Sequence, residues 1–290
     1  MVSLLAAAAA SCTREIQAPD GEEATLTVTA SLDAAMDGGT KASADGGLTN
    51  LAGQGYQLRY MMELWSENDN VETLEYRAQP VITDFSSLTV EYNLNLLAKK
   101  YKMVLWADIV MENNDGTVTT YYTVSETGGL TAIEFPARSA FGSDEYDAFT
   151  AVADVDLTGG SKVIRATLKR PFAKIRVIDD RIKEDPVQKY STHLKFPSMV
   201  SIPKTYNALT GGITYSDTEN YNTYTCKSVF ETDRLCLFTG YIFVPETGAD
   251  QQSTKYSFTI VVNDEEKVQV SNVTVRRNAL TTVKGKIIEA

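Results

Sequence analysis

The chain contains a single histidine, His193, so any histidine-based catalysis would depend on this one residue. A serine nucleophile would need it as a general base, together with a sharp turn that presents the serine. No Gly-x-Ser-x-Gly segment of that kind is present. We therefore expect His193 to be a strand or surface residue, and we expect the chain to have no catalytic residue and not to be an enzyme.

The sequence also offers few residues that could bind a metal ion. A zinc site takes three or four His, Cys or acidic ligands, and the sequence offers one histidine and three cysteines. The segment Asn113–Gly116 resembles the start of a calcium loop, but it lacks the acidic residue that closes a twelve-residue EF-hand loop. Acid pairs such as Asp179-Asp180 are more typical of turns than of a glycosidase. We expect neither a metal nor a cofactor.

Two cysteines near the middle of the C-terminal half have two possible roles. Cys226 and Cys236 lie ten positions apart, on either side of the segment Val229–Arg234. In an oxidising compartment they could form a disulfide between two adjacent strands. They could equally be small buried hydrophobic residues. Both interpretations stay open at this point, and neither is catalytic because nothing nearby would activate a thiolate.

Cys12 directly follows an apolar stretch of small residues. Such a stretch is typical of the hydrophobic region and cleavage site of a secretory signal, and the cysteine placed here resembles the lipobox of bacterial lipoproteins. The resemblance implies that residues 1–11 are a signal peptide remnant, that Cys12 is the lipidated mature N-terminus, and that residues 12–23 form a tether. The alternative is that Ala6–Ala10 begins an ordinary helix.

The composition indicates a folded protein that does not bind nucleic acid. Hydrophobic residues make up 43% of the chain and charged residues 22%, which fits a globular fold. The formal net charge is −11, and nucleic-acid binding requires clustered cations. A length of 290 residues is enough for two domains with a core each. No apolar run reaches the roughly 20 residues that span a bilayer.

Strand-like segments dominate the chain. Thr25–Thr29 and Leu88–Leu96 alternate polar and apolar residues, and this period of two predicts strands with one buried face. Asp115-Gly116 and Asn263-Asp264 have the composition of hairpin turns. We therefore expect an all-β fold. The predicted strands include Thr25–Thr29, Tyr56–Trp65, Leu88–Leu96, Lys102–Val110, Lys162–Leu168, Pro171–Ile178, Leu235–Val244, Lys255–Val262, Lys267–Val275 and Ala279–Ile288.

A turn at Thr158–Gly160 is the predicted domain boundary. We expect an N-terminal β-sandwich over residues 24–158 and a C-terminal β-sandwich over residues 159–290. Trp65 and Trp106 lie on predicted strands of the first unit, so we expect them to be buried in its core.

Several short segments, taken in order, resemble the fimbrillin-like lipoproteins that build, cap or anchor type V pili on Gram-negative surfaces. Each is a common strand or turn sequence, and their joint order carries the resemblance. The segments are Thr40–Ser43, Tyr101–Asp108, Asp144–Phe149, Leu168–Ile175, Arg277-Asn278 and Gly285–Ile288.

The resemblance implies two tandem transthyretin-like β-sandwich domains and a surface-exposed lipoprotein of the outer membrane and fimbrium. It also implies that a protease removes the first strand after an Arg or Lys, and that other pilin subunits join by strand addition. Lys41 follows the first predicted strand, so Thr25–Thr29 is the candidate for removal. The alternative is that Lys41 is a solvated loop lysine.

The last predicted strand, Ala279–Ile288, has its own apolar side, and only two residues follow it. A donor strand needs roughly 5–10 residues beyond the fold, so we expect a tip, anchor or accessory subunit acting in cell adhesion. The alternative is a non-polymerising surface lipoprotein that binds a glycan or a host protein. Aromatic residues such as Tyr121 and Tyr122 could stack on a sugar, although core packing is their expected role.

Overall fold

Strands dominate the computed structural model of the chain. It describes residues 21–34, 48–68, 71–113, 115–134, 144–182, 184, 186, 189–196, 203–215, 223–231, 234–244 and 253–289. In this part, helical structure is limited to α1 (Leu48–Leu51) and 3₁₀ turns at Gly129–Thr131 and Asp144–Tyr146. The prediction of an all-β fold is confirmed. None of the helices described is long and apolar enough to cross a membrane.

The first part of the chain contains eleven of the described strands, and all but two of them form two sheets. They are β1 (Glu23–Leu32), β2 (Tyr56–Asn68), β3 (Val71–Arg77), β4 (Val81–Thr83), β5 (Thr89–Leu97), β6 (Lys100–Glu112), β7 (Val118–Thr120), β8 (Thr123–Val124), β9 (Ile133–Glu134), β10 (Ala148–Asp156) and β11 (Lys162–Leu168). Within the described residues, one sheet has the order β11-β1-β5. The other has the order β10-β6-β2-β3, with β4 pairing to β2 and β7 to β6.

Strands from the second part build further sheets. They are β12 (Phe172–Asp179), β13 (Ser191–Lys195), β14 (Pro203–Tyr206), β15 (Ile213–Tyr215), β16 (Thr223–Lys227), β17 (Val229–Glu231), β18 (Arg234–Phe243), β19 (Ser253–Val262), β20 (Glu265–Arg276) and β21 (Leu280–Gly285). In the described part, their orders are β17-β18-β12-β21 and β16-β13-β19-β20. A third sheet, β15-β14-β9-β8, includes two short strands from the first part.

Two hydrophobic cores lie on opposite faces of β2 and β6. The first core is enclosed between β2 and β6 on one side and β1, β5 and β11 on the other, and residues such as Leu58 and Met103 point into it. The second core takes the other face of β2 and β6 and continues among the C-terminal strands. Because side chains alternate along a strand, one strand can serve both cores.

Trp65 and Trp106 are buried, with 9% and 0% of their surface exposed, so the prediction of their burial is confirmed. Both lie in the second core, together with residues from the C-terminal half. The ring centroid of Trp106 is 5.4 Å from that of Tyr122 and 6.0 Å from that of Tyr206. The core shared by these rings therefore contains side chains from both sides of residue 158.

Strand pairing also crosses the predicted domain boundary. Residues 162–168, placed in the C-terminal unit by the sequence, form β11 and pair with β1 from Leu26↔Lys162 to Leu32↔Leu168. Tyr206 of β14 pairs with Ile133 of β9. The division at residues 158/159 stays a prediction, and the sheets change from one set to the next after Leu168 rather than at 158.

Both predicted hairpin turns are present. Asp115-Gly116 lies between β6 and β7, and Gly116 has φ +80°, a left-handed conformation that glycine adopts without strain. Asn263 and Asp264 join β19 to β20 with φ values of 50° and 66°. Two consecutive left-handed residues match the right-handed twist of the flanking strands, and Asn and Asp tolerate that conformation better than other side chains.

Replacing Leu26 of β1 by alanine should destabilise the fold. The Leu26 side chain is fully buried in the first core, so Leu26→Ala should lower the free energy of unfolding by about 2–5 kcal/mol. Thr25→Ala, on the exposed face of the same strand, should cost less than about 1 kcal/mol. Urea unfolding monitored by tryptophan fluorescence measures both variants. Equal losses would contradict the inward orientation of Leu26.

Candidate functional site: the first strand and the ion pair at its end

β1 is the middle strand of its sheet. It runs antiparallel to β5, with Leu26 opposite Leu94, and parallel to β11, with Leu26 opposite Lys162. In the described sheet, β5 and β11 are joined only through β1. Without β1, each would present an unpaired edge of N–H and C=O groups to the gap.

The two faces of β1 differ sharply. Alternate residues point inward and are buried in the first core: Ala24, Leu26, Val28, Ala30 and Leu32. The outward threonines bond to β5: the Thr25 hydroxyl donates to Asn95 Oδ1 at 3.2 Å and the Thr27 hydroxyl to Asn93 Oδ1 at 2.8 Å. β1 therefore contributes main-chain hydrogen bonds on both edges and a complete row of apolar side chains.

We call the space that β1 occupies the β1 groove. Its walls are the facing edges of β5 and β11, and its floor is the first core. A groove of this shape fits an extended peptide, because the edges bind main chain and alternate pockets take side chains. In this structure the occupant is the chain's own β1.

A buried ion pair lies where β1 ends. The Arg170 guanidinium donates from Nε to Asp147 Oδ1 at 2.7 Å and from Nη2 to Asp147 Oδ2 at 2.7 Å. The two side chains are 2% and 0% exposed. The guanidinium carbon also lies 4.5 Å from the ring centroid of Phe149. Such a two-pronged pair gives the fixed geometry that makes arginine suitable for buried contacts.

Arg170 also binds the end of β1 and a segment near the C-terminus. Its Nη1 donates to the main-chain oxygen of Asp33 at 3.4 Å and to Asn278 Oδ1 at 3.3 Å. Its Nη2 donates to the main-chain oxygen of Ala34 at 3.2 Å. We call Arg170 with Asp147, Asp33, Ala34 and Asn278 the Arg170 hub.

A second ion pair adjoins the hub. Lys174 Nζ, on a side chain that is 2% exposed, donates to Asp144 Oδ1 at 2.9 Å, and the Tyr241 hydroxyl donates to the same oxygen at 3.2 Å. Burial and then the carboxylates of Asp147 and Asp144 raise the pKa of Tyr241 well above its usual value, which keeps its hydroxyl a donor. Burial lowers the pKa of Arg170, but Asp147 outweighs this and raises it overall, so the guanidinium stays charged.

Of the sequence-predicted site residues, only Cys236 has its side chain in the described part of the chain. Cys12 and Lys41 lie outside the described residues. Cys226 belongs to β16, with its side chain outside the described part, while Cys236 belongs to β18 in a different sheet. The Cys236 Sγ lies 3.2 Å from the Thr239 hydroxyl. The Cys226–Cys236 disulfide stays a prediction.

His193 and the aromatic residues occupy structural positions. His193 is half-buried on β13, and its Nε2 lies 3.8 Å from Asp264 Oδ1 in the β19–β20 turn. Trp65, Trp106 and Tyr122 are buried, as core packing predicts. Tyr121 is half-buried, with its ring centroid 5.1 Å from that of Tyr146. In the part of the chain that the structure describes, no group of three or more His, Cys, Asp or Glu could hold a metal ion.

The sequence contained a signal for the hub that single residues could not reveal. Three of the segments that carry the resemblance supply it: Asp144–Phe149 contains Asp147, Leu168–Ile175 contains Arg170, and Arg277-Asn278 contains Asn278. Asp147 and Arg170 are 23 residues apart in the chain, and Arg170 and Asn278 are 108 residues apart, but they meet within hydrogen-bonding distance. Their joint occurrence therefore has a physical basis in one buried cluster.

A family model matches nearly the whole described chain. It is a family of unknown function, DUF6562, and the match covers residues 17–289. The chain belongs to this family. No curated protein matches the chain at a significant level.

Solved structures with some similarity to this DUF6562 chain come from surface proteins. The tip fimbrial protein Mfa3 from Porphyromonas gingivalis, with a C-terminal truncation, is 11% identical, with 91% of this chain and 94% of that chain covered and a TM-score of 0.46. A candidate adhesin from Bacteroides thetaiotaomicron is 9% identical, with 93% and 94% covered and a TM-score of 0.45. A fimbrial assembly protein from Parabacteroides distasonis is 11% identical, with 91% and 91% covered and a TM-score of 0.36. Similarity at this level carries no argument about this chain.

Removing the charge of the Asp147 carboxylate in the Arg170 hub should destabilise the fold. Asp147→Asn leaves the buried Arg170 guanidinium without its counter-ion, so we expect a loss of about 3–5 kcal/mol in the free energy of unfolding. The matched control is Glu266→Gln, which breaks an ion pair with Lys195 whose side chains are 59% and 57% exposed and should cost less than about 1 kcal/mol. Urea titration measures both. An Asp147→Asn loss as small as the control's would show that Arg170 finds adequate acceptors elsewhere.

Proposed function

We propose that this chain is a fimbria-associated cell-surface adhesion protein that reaches the outer membrane as a lipoprotein through lipid on Cys12, and that it joins other subunits at the β1 groove once cleavage at Lys41 lets the segment carrying Cys12 and β1 leave. The observation that carries the proposal is the position of β1. It is the central strand of its sheet, it buries five alternating side chains, and it precedes Lys41 in the chain. The sequence resemblance to fimbrillin-like lipoproteins supports the same function.

Strand exchange at this groove is chemically simple. The edges of β5 and β11 bind main-chain groups, which any peptide possesses, and the inward pockets select for alternating apolar side chains. Cleavage at Lys41 would leave β1 attached to the rest of the molecule only by noncovalent contacts. A strand from a neighbouring subunit could then take its place without any change in the number of strands in the sheet.

The proposed position in a fimbrium is tip, anchor or accessory subunit. β21 is engaged in the chain's own fold: it pairs in parallel with β12 from Leu280 to Gly285. The segment after it is also held, because Asp179 Oδ2 accepts the main-chain N–H groups of Ile287 and Ile288, both at 3.0 Å. A strand committed in this way is unsuited to being donated, so we propose that the subunit accepts a strand and does not supply β21.

Limited trypsin treatment followed by peptide exchange tests acceptance. We expect cleavage at Lys41 to leave the β1 fragment bound, and partial denaturation to release it. A synthetic peptide of residues 21–34 should then bind the remaining chain and restore its resistance to urea, because it refills the groove. Native mass spectrometry measures both the release and the rebinding.

Two controls make that experiment specific. Lys41→Gln should prevent the cut, and a peptide carrying Val28→Asp should fail to bind because it places a charge in the first core. If the chain is cut at Lys41 but never releases β1, and the peptide never binds, strand acceptance is wrong. The non-polymerising adhesin that binds a glycan or a host protein then becomes the better proposal.

Replacing Cys12 by alanine tests the anchor separately. Two or more acyl chains hold a protein stably at a membrane, at about 0.8 kcal/mol per buried CH₂. Cys12→Ala should therefore move the protein from the outer-membrane fraction to the soluble fraction and leave the signal segment uncleaved, which cell fractionation and intact mass detect. Membrane association equal to that of the wild type would show that lipidation is not the anchor.

A further inference from the structure

The first and last strands of the described chain end at the same buried cation. β1 reaches Arg170 through the main-chain oxygens of Asp33 and Ala34, at 3.4 and 3.2 Å. The segment that leads into β21 reaches it through Asn278 Oδ1, at 3.3 Å. Asn278 and β1 also touch directly, because Asn278 Nδ2 donates to Asp33 Oδ2 at 3.3 Å. Contacts therefore run from β1 to the start of β21 within a single cluster.

Asn278 has a left-handed backbone conformation and makes a further main-chain contact of its own. It has φ +53°, in the left-handed region, and it is 8% exposed. Its N–H donates to the main-chain oxygen of Phe172 at 2.8 Å. The next residue continues the attachment, because the main-chain oxygen of Ala279 accepts from Lys174 N at 3.0 Å. Because single asparagines visit the left-handed region routinely, these contacts fix where Asn278 lies rather than its backbone conformation.

β21 itself is held by its ladder with β12 and by Val283, which packs against the second core. It lies at the edge of its described sheet, next to β12, and all residues from Leu280 to Gly285 are exposed or half-buried. Its two ends carry the firm contacts: Asn278 at the start, and Asp179 with Ile287 and Ile288 after the strand. Strands with few buried contacts belong to the least stable parts of a protein. Loss of one end contact should therefore make the whole of β21 open more often.

We propose that the Arg170 hub couples β1 to β21, so that displacement of β1 from its groove loosens β21 from β12. When β1 leaves, the buried guanidinium loses two carbonyl acceptors and the Asn278 amide loses Asp33. Arg170 and Asn278 must then rearrange, and the strand that begins two residues after Asn278 loses its fixed start.

This coupling gives the proposed function a consequence. A subunit with an empty β1 groove would differ from a subunit with a filled groove in the groove itself and also at the β21 edge of the C-terminal sheet. Only that consequence rests on the proposed function, because the coupling itself concerns the intact chain and is tested with β1 in place.

Hydrogen exchange of the full chain, monitored by mass spectrometry, tests the coupling. Val28→Ala loosens β1 by opening a cavity in the first core. Val155→Ala is the matched control, since Val155 is the same residue type, is 1% exposed and lies in the same core on β10. If β1 and β21 are coupled, the Leu280–Gly285 amides should exchange about 5-fold or more faster in Val28→Ala than in Val155→Ala.

A third variant separates coupling from general destabilisation. Asn278→Gly keeps a residue that adopts φ +53° freely and keeps the N–H bond to Phe172, but removes the carboxamide that links Arg170 to Asp33. When Val28→Ala is combined with Asn278→Gly, exchange in β1 should still rise. The extra exchange in β21, relative to Val155→Ala, should disappear. If Val28→Ala does not fold, Ala30→Gly on the same strand is the milder substitute.

The outcomes are distinct. An excess in β21 that disappears in Asn278→Gly supports the coupling. Equal β21 exchange in Val28→Ala and Val155→Ala overturns it, and so does an excess that survives in Asn278→Gly. Peptide exchange at the β1 groove is measured in a separate experiment, so failure of the coupling leaves the proposed function untouched, and the reverse also holds.

Discussion

A buried guanidinium must have acceptors for its N–H groups, and Arg170 finds them in segments that are far apart in the sequence. Asp147 supplies the charge, Asp33 and Ala34 supply main-chain oxygens, and Asn278 supplies a side-chain oxygen. Because a buried charge without partners is very costly, these segments must all be in place together. This requirement connects the end of the first strand, the approach to β10, the start of β12 and the start of β21.

The second organising feature is the use of both faces of β2 and β6. Along β6, Met103 and Leu105 point into the first core, whereas Val104 and Trp106 point into the second. The alternation that normally separates a wet face from a dry one here separates two cores. Buried charges on these strands are paired: Asp108 Oδ1 accepts from Arg59 Nε at 2.8 Å. The chain therefore has a continuous stack of layers from β1 to the C-terminal sheets.

Local signals in the sequence were enough to predict most strands and turns. The period of two located β1 and β5, and the pairs Asp115-Gly116 and Asn263-Asp264 located hairpins, because both depend on side chains within a few residues of each other. The parallel pairing of β1 with β11 could not be predicted in this way. It joins Leu26 to Lys162, and no local pattern specifies a partner that distant.

The candidate site shows the same division. Alternation identified the first strand and its inward residues, but not the ion pair at its end, since Arg170 and Asp147 look like ordinary strand-flanking charges when taken singly. The segments that contain them carried the resemblance to fimbrillin-like lipoproteins, but nothing in the sequence showed that they meet. The predicted domain boundary stays a prediction: the turn at Thr158–Gly160 is present and joins β10 to β11, and the pairing of β11 with β1 depends on residues that are far apart in the sequence.

The Arg170 hub also fixes the register of the strand in the β1 groove, which the groove alone does not determine. Alternating side chains determine which face of a strand points inward, but a slip of two residues preserves that alternation. The side chain of Asp33 opposes such a slip, because its Oδ2 accepts from Asn278 Nδ2 at 3.3 Å and a shift of two residues would replace it with Ser31 or Ala35. Arg170 also binds the main-chain oxygens of two consecutive residues, Asp33 and Ala34. Consecutive carbonyls of a regular strand point to opposite edges, so two that reach one guanidinium require the chain to leave strand geometry just after Leu32. The groove thus sets the face of its occupant, and the hub sets where that occupant must end.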